Sequence, residues 1–138
     1  MAFGTVVVPR GRTEPLTWTL MWKGAPANLS ASGDRALDIA TILIYLVRTN
    51  QWLSETFDAS TVETYLGAMT KKVDGASCSI VTAAAGDISW APGADDLNTP
   101  GNYYYQFKAT DSGGKITPWP DDARHCRFIV APSIWVSQ

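Results

Sequence analysis

A chain of 138 residues, 46% hydrophobic and 17% charged, with a formal net charge of −2, fits one domain with a real core, because folding at this size buries roughly two thirds of the unfolded chain's surface. Its charged fraction lies below the roughly 25% usual in soluble domains, and no basic run exceeds Lys71-Lys72, which excludes the electrostatic footprint of a nucleic-acid binder. The longest apolar run, Ile42 to Val47, is far short of the ~20 residues that span a bilayer, and residues 1–10 lack the basic start and long apolar stretch of a signal peptide; the expectation is a chain made in a cytosol with no membrane partner.

Taken in chain order, residues 1–15 carry Pro9, Gly11 and Pro15 with Arg10 and Arg12, a composition that predicts an extended N-terminal arm available to a neighbouring subunit. Leu16, Trp18, Leu20 and Trp22 alternate with Thr17, Thr19 and Met21, the pattern of a half-buried strand. Lys23-Gly24-Ala25-Pro26 turns the chain, Asn28-Leu29-Ser30 is briefly extended, and Ser32-Gly33-Asp34 ends that piece. Ala40 to Arg48 is apolar on both faces, which suits a central strand covered on both sides or a strand at an interface. A helix competes for this segment, but its β-branched and aromatic content favours strand.

Ser60-Thr61-Val62-Glu63 has the form of a capping box and predicts a short helical insertion around residues 60–67, closed by Gly67. Two strands follow, Ala76 to Thr82 and Gly86 to Trp90, joined by Ala83-Ala84-Ala85. Tyr103, Tyr105, Phe107 and Ala109 then share one face of a long strand, with Tyr104, Gln106, Lys108 and Thr110 on the other, so one side is core and the other wet. Asp111-Ser112-Gly113-Gly114 supplies a tight turn. Ile116 to Pro120 is rigid and extended, and a closing strand places Cys126, Phe128 and Val130 on one face. No linker divides the chain, so residues 16–132 read as a single domain between the arm, 1–15, and a tail, 133–138.

Residue types that carry chemistry are sparse. His125 is the single histidine and falls in the predicted closing strand, where a structural role outweighs that of a catalytic base. Cys78 and Cys126 form no Cys-x-x-Cys pattern and read as buried thiols of a reducing compartment rather than as zinc ligands or a disulfide. The pairs Asp95-Asp96 and Asp121-Asp122 lie in turns, where local backbone hydrogen bonds are a commoner use than Ca²⁺ ligation or acid/base work. Phosphate-loop, dinucleotide and nucleophile-elbow motifs are all missing, so the reading is a non-enzyme with no cofactor, no metal and no small-molecule substrate. With six Trp, five Tyr and four Phe, some rings are expected at subunit contacts, where aromatics are enriched. Trp52, Tyr65, Trp119 and Trp135 are the candidate interface residues; Trp52, Trp119 and Trp135 exposed together would instead make a carbohydrate platform.

Gly101 precedes Tyr103 by two positions, downstream of the turn-rich run from Ala91 to Pro100. That is the sequence form of a tyrosine corner and predicts an all-β, immunoglobulin-like antiparallel β-sandwich. Leu16 to Ser30, Thr41 to Arg48, Gly86 to Trp90, Asp95 to Phe107, Gly114-Lys115, Trp119-Pro120 and Cys126 to Val130, in that order, resemble the N-terminal sandwich domain of baseplate upper proteins and related tail and receptor-binding-apparatus proteins of tailed phages. The segment 50–69 is longer than the usual link at that point, and the sequence stops soon after the domain. The resemblance implies a structural protein of the virion, made in the bacterial host's cytoplasm, which joins other virion proteins and further copies of itself as an adaptor of tail, baseplate or neck. A capsid cement or decoration protein and a carbohydrate- or receptor-binding module are the alternatives, and a small glycosidase with two facing carboxyls ranks last.

Overall fold

The computed structural model describes residues 4–54 and 56–132. The chain forms β1 (Gly4–Pro9), β2 (Leu16–Thr19), β3 (Met21–Trp22), β4 (Ala25–Pro26), β5 (Ile39–Thr49), α1 (Ala59–Ala68), β6 (Lys71–Ser77), β7 (Ser79–Thr82), β8 (Asp87–Trp90), β9 (Gly101–Asp111), β10 (Ile116–Trp119) and β11 (Cys126–Ala131). The architecture is all-β, with one α-helix among the described residues. A six-stranded sheet runs β1-β11-β9-β5-β6, with β10 beside β9, and a three-stranded sheet runs β2-β8-β7.

The two sheets meet through the alternate residues of their strands. Ile42, Ile44 and Leu46 of β5, Tyr103, Tyr105, Phe107 and Ala109 of β9, and Cys126, Phe128 and Val130 of β11 share one buried cluster with Leu16, Trp18, Ile88 and Trp90 of the smaller sheet. Trp18 lies edge-on to Phe107 with ring centroids 5.0 Å apart, and its Nε1 donates to the Tyr105 hydroxyl at 3.2 Å. This buried N–H thus finds its acceptor across the layer.

Several local outcomes differ from the sequence reading. Residues 4–9 are no arm: β1 pairs in parallel with β11, from Gly4 opposite Cys126 to Pro9 opposite Ala131, and Val8 is buried in the core. The larger sheet is therefore mixed rather than purely antiparallel. The strand expected over residues 16–22 is interrupted at Leu20, whose N–H still donates in register to Gly86 O at 2.8 Å, the last bond between that stretch and the smaller sheet. The next two strands, β3 and β4, form a separate hairpin around Lys23 and Gly24, both with positive φ, the backbone that a two-residue turn requires. Asn28 to Ser30 forms no strand of its own, but Leu29 N–H donates to Ala83 O at 2.8 Å and Leu29 O accepts from Ile39 N–H at 2.9 Å, while the Asn28 side chain donates to the Ser32 and Asp34 carbonyls at 3.1 Å.

Strands β6 and β7 are separated only by Cys78, whose N–H donates to Ile42 O at 2.9 Å. One continuous stretch of chain therefore leaves the larger sheet and enters the smaller one. Cys78 and Cys126 are both thiols rather than a disulfide, and burial pushes the Cys78 thiol up to about 12, which leaves little reactive thiolate near neutral pH.

Candidate docking face

Because side chains alternate along a strand, the residues of β9 that do not enter the inter-sheet core point to the far side of the larger sheet. Tyr104 is buried there by the insertion between β5 and β6, in a second cluster with Leu53 and Val62 against which Trp52, Tyr65 and Leu66 pack. The Tyr104 hydroxyl accepts from Leu53 N–H, and the Trp52 ring stands edge-on to Tyr104 at 5.2 Å. On β11, the Arg127 guanidinium lies 4.8 Å from the centre of the Trp52 ring, a cation–π contact that ties the insertion to that strand.

The cap of helix α1 lies two residues earlier than the sequence suggested. Asp58, not Ser60, is the N-cap: its carboxylate accepts from Thr61 N–H at 2.7 Å and from the Ser60 hydroxyl at 3.0 Å. The Thr61 amide holds the Asp58 carboxyl below the ordinary carboxylate range. At the other end Met69 caps the helix, its N–H donating to Leu66 O, so Gly67 lies inside the helix rather than closing it.

Opposite the helix, the chain between β10 and β11 leaves the edge of β9 and arches over the same face. Gln106 Nε2 donates to Pro120 O at 2.8 Å, and Asp122 caps a single 3-10 turn over Ala123–His125 by accepting from Arg124 N–H at 3.0 Å. Arg124 then uses both ends of its guanidinium. Nε and Nη2 grip the Asp122 carboxylate, Nη2 to Oδ2 at 2.6 Å, while Nη1 donates to Ser54 O at 2.8 Å and Phe57 O at 2.9 Å. This planar fork joins the arch to the loop that leads into α1.

Between helix and arch runs a groove of about 570 Å³. Its floor and walls are mostly apolar, from Tyr45, Val47, Val62, Leu66, Ile116 and Pro118, with Lys71, Lys108, Glu63 and Asp121 also facing it. Ile116 is 54% exposed. Such a surface suits a side chain or segment of another macromolecule, its charges of both signs serving register rather than affinity.

The candidate interface residues fall in different environments. Trp52 and Tyr65 belong to the insertion and are half-buried. Trp119 is a core residue rather than a surface one: it is 5% exposed, donates from Nε1 to Met21 O at 2.9 Å and lies edge-on to Trp22 at 5.6 Å. Trp135 lies outside the described residues. A platform made of Trp52, Trp119 and Trp135 together is therefore not available, since Trp119 presents no open face.

One carboxylate of each pair is engaged locally. Asp96 Oδ2 accepts from Gly93 N–H at 2.7 Å, and Asp122 is committed to Arg124, whose hydrogen bond is the main reason that its carboxyl lies below the ordinary range. Among the described residues no group of three or more His, Cys, Asp or Glu side chains is placed to hold a metal ion. His125 ends the short turn instead of lying inside β11. The Tyr103 hydroxyl donates to Thr99 O at 2.7 Å, and Gly101 opens β9 where an added Cβ would come 3.3 Å from Arg48 Nε.

Two outcomes follow from these contacts. Tyr103→Phe is expected to lower stability by about 1 kcal/mol in urea unfolding, the worth of one hydrogen bond with its ring packing retained; an unchanged midpoint would show that the corner contributes nothing. Because the native carboxyl of Asp122 is depressed, its contribution is fully present above the unfolded value, about 3.9, and is lost as pH falls through the lower folded value. Asp122→Asn is accordingly expected to flatten the acid limb of the thermal stability profile below about pH 4, and the idea fails if wild type and variant lose stability in parallel there. Neither Arg124 nor Asp58 was legible as a site residue; a short Asp-x-Arg spacing and an acidic residue before the helix were the available signals. The sequence of this chain matches no protein-family profile and no curated protein.

Proposed function

We propose that this chain is a non-enzymatic structural module of a phage particle, an adaptor of tail, baseplate or neck that docks to other virion proteins and to further copies of itself. The observation that carries the reading is the second cluster on the outer sheet face: residues 50–69 and the arch build an apolar groove on a scaffold whose core is already filled from the other side. Such added surface serves contact rather than folding.

The finer fold assignment belongs to the same proposal. In immunoglobulin variable-type domains one sheet carries G, F, C and C′ and the other B, E and D, with a tyrosine corner at the start of F. The order β11-β9-β5-β6 facing β2-β8-β7, with Tyr103 near the start of β9, supports that equivalence, the helix then lying between C and C′. Capsid cement or decoration is the second reading, since an exposed apolar face suits a shell as well as a tail. Carbohydrate binding is weaker, because Trp119 is taken into the core.

The test is antibody labelling, viewed by electron microscopy, of particles from cells that carry the coding sequence. Gold at the neck, tail or baseplate is the expected result, gold over the head favours decoration, and label confined to unassembled protein overturns the virion reading.

A further inference from the structure

We infer that β1 is an exchangeable strand: a second copy of this chain donates its own β1 to the β11 edge, with the Pro9–Arg12 turn as the hinge. The inference stands on the geometry of β1 and goes beyond any particular assembly the chain serves. Within its own subunit β1 has one lateral partner, β11, which it meets in parallel over six residues. Val8 is its one buried side chain, Val6 is half-buried, and Val7 is 62% exposed. An element held by so few apolar contacts belongs to the low-stability end of a fold.

Every contact that β1 makes with β11 is available unchanged to the same strand from another copy. Exchange therefore has no net cost in those contacts, and its equilibrium depends on the hinge and on concentration. The hinge is closed by one good bond, Gly11 N–H to Leu97 O at 2.8 Å, and one weak one, Arg12 N–H to Pro9 O at a long 3.3 Å, with Gly11 at φ +83. Arg10, at the centre of this turn, has a buried Nε with no hydrogen-bond partner among the described residues. A buried donor left unpaired is disfavoured relative to a hydrated one, so the closed turn carries a defect that extension of the hinge removes.

Val7 and Ile129 are in-register partners on the outer face, which gives a direct test on the full-length chain. Val7→Cys with a mass tag and untagged Ile129→Cys are refolded together at rising concentration, oxidised, and resolved by non-reducing electrophoresis. Exchange predicts a mixed covalent dimer whose fraction rises with concentration. The Val7→Cys chain paired with Val81→Cys, a second exposed position, controls for random surface collision and is expected to give none. Gly11→Ala, whose Cβ meets nothing within 4 Å, penalises only the left-handed turn and is expected to raise the exchanged fraction roughly five-fold or more.

Absence of the mixed dimer at every concentration, or a mixed dimer no more abundant than the control, overturns the proposal. Where a cysteine variant fails to fold, sedimentation of Gly11→Ala decides: a concentration-dependent dimer supports exchange, and a monomer at all concentrations refutes it. Gold labelling of particles is independent of either result, so loss of the exchange idea and loss of the virion reading are told apart.

Discussion

Phe107→Ala is expected to lower the stability of the domain by about 3–5 kcal/mol. Phe107 is fully buried at the centre of β9, edge-on to Trp18 at 5.0 Å and to Tyr105 at 5.8 Å. Trp18 belongs to the opposite sheet, so the ring is one of the contacts through which the two layers touch. Truncation leaves a void that Trp18 cannot fill, because its Nε1 is held by the Tyr105 hydroxyl at 3.2 Å, and closure of the gap breaks that bond. Chemical unfolding followed by circular dichroism reads the effect. Since a domain of this size is stable by roughly 5–15 kcal/mol in total, a large shift of the midpoint is expected, together with a weaker near-ultraviolet aromatic signal. A loss below about 1 kcal/mol would show that the sheets are joined elsewhere.

Gly86→Ala is the second large effect, about 2–4 kcal/mol, and its cause is backbone rather than core volume. Gly86 ends the short turn over Ala83–Ala85 with φ +73. A Cβ there would lie 2.7 Å from Leu20 O and 3.0 Å from both the N and O of Ala27. None of these atoms is the end of a flexible side chain. Two of them are bonded to each other, the Leu20 carbonyl accepting from Ala27 N–H at 2.8 Å, and Leu20 is further fixed by its own N–H, which donates to Gly86 O at 2.8 Å. Relief of the clash therefore separates the smaller sheet's first strand from the hairpin β3–β4. Gly67→Ala supplies the contrast. It lies within α1 with nothing within 4 Å of the added atom, so it is expected to be neutral or stabilising by up to about 1 kcal/mol. Equal effects at the two glycines would refute the steric account.

What the sequence made legible was local and periodic. Alternation along residues 101–111 and 126–131 is visible without any partner, because a strand with one buried face repeats every two residues, whereas residues 40–48 were legible only as an apolar, β-branched run. The corner was legible for the same reason, since the Tyr103 hydroxyl and Thr99 O are four positions apart. Parallel pairing of β1 with β11 was not, because nothing within residues 4–9 encodes a partner at the far end of the chain, and Pro9 and Gly11 suggested a loose segment. Val6-Val7-Val8 was the neglected signal.

Elsewhere, two residues with similar local credentials competed, and tertiary context decided. Ser60 and Asp58 are both good cap residues, but it is the Asp58 carboxylate that accepts from Thr61 N–H at 2.7 Å, while the Ser60 hydroxyl donates to it. Trp119, flanked by prolines, looks like a surface ring, yet the Met21 carbonyl supplies the acceptor that lets its indole be buried. Arg124 was unreadable because two of its acceptors, Ser54 O and Phe57 O, come from an insertion whose path no pattern predicts.

The parallel pairing of β1 with β11 has a mechanical consequence. Gly4 begins the pair opposite Cys126, and Ala131 ends it opposite Pro9, so the chain enters at one end of the pair and leaves at the other. Tension applied along the chain, entering ahead of Gly4 and leaving beyond Ala131, drags the two strands lengthwise past one another. All of the hydrogen bonds between them are then loaded together in shear, instead of opening one after another like a zip. A fold whose first strand yields readily to exchange in solution is, under axial pull, clamped at that same strand.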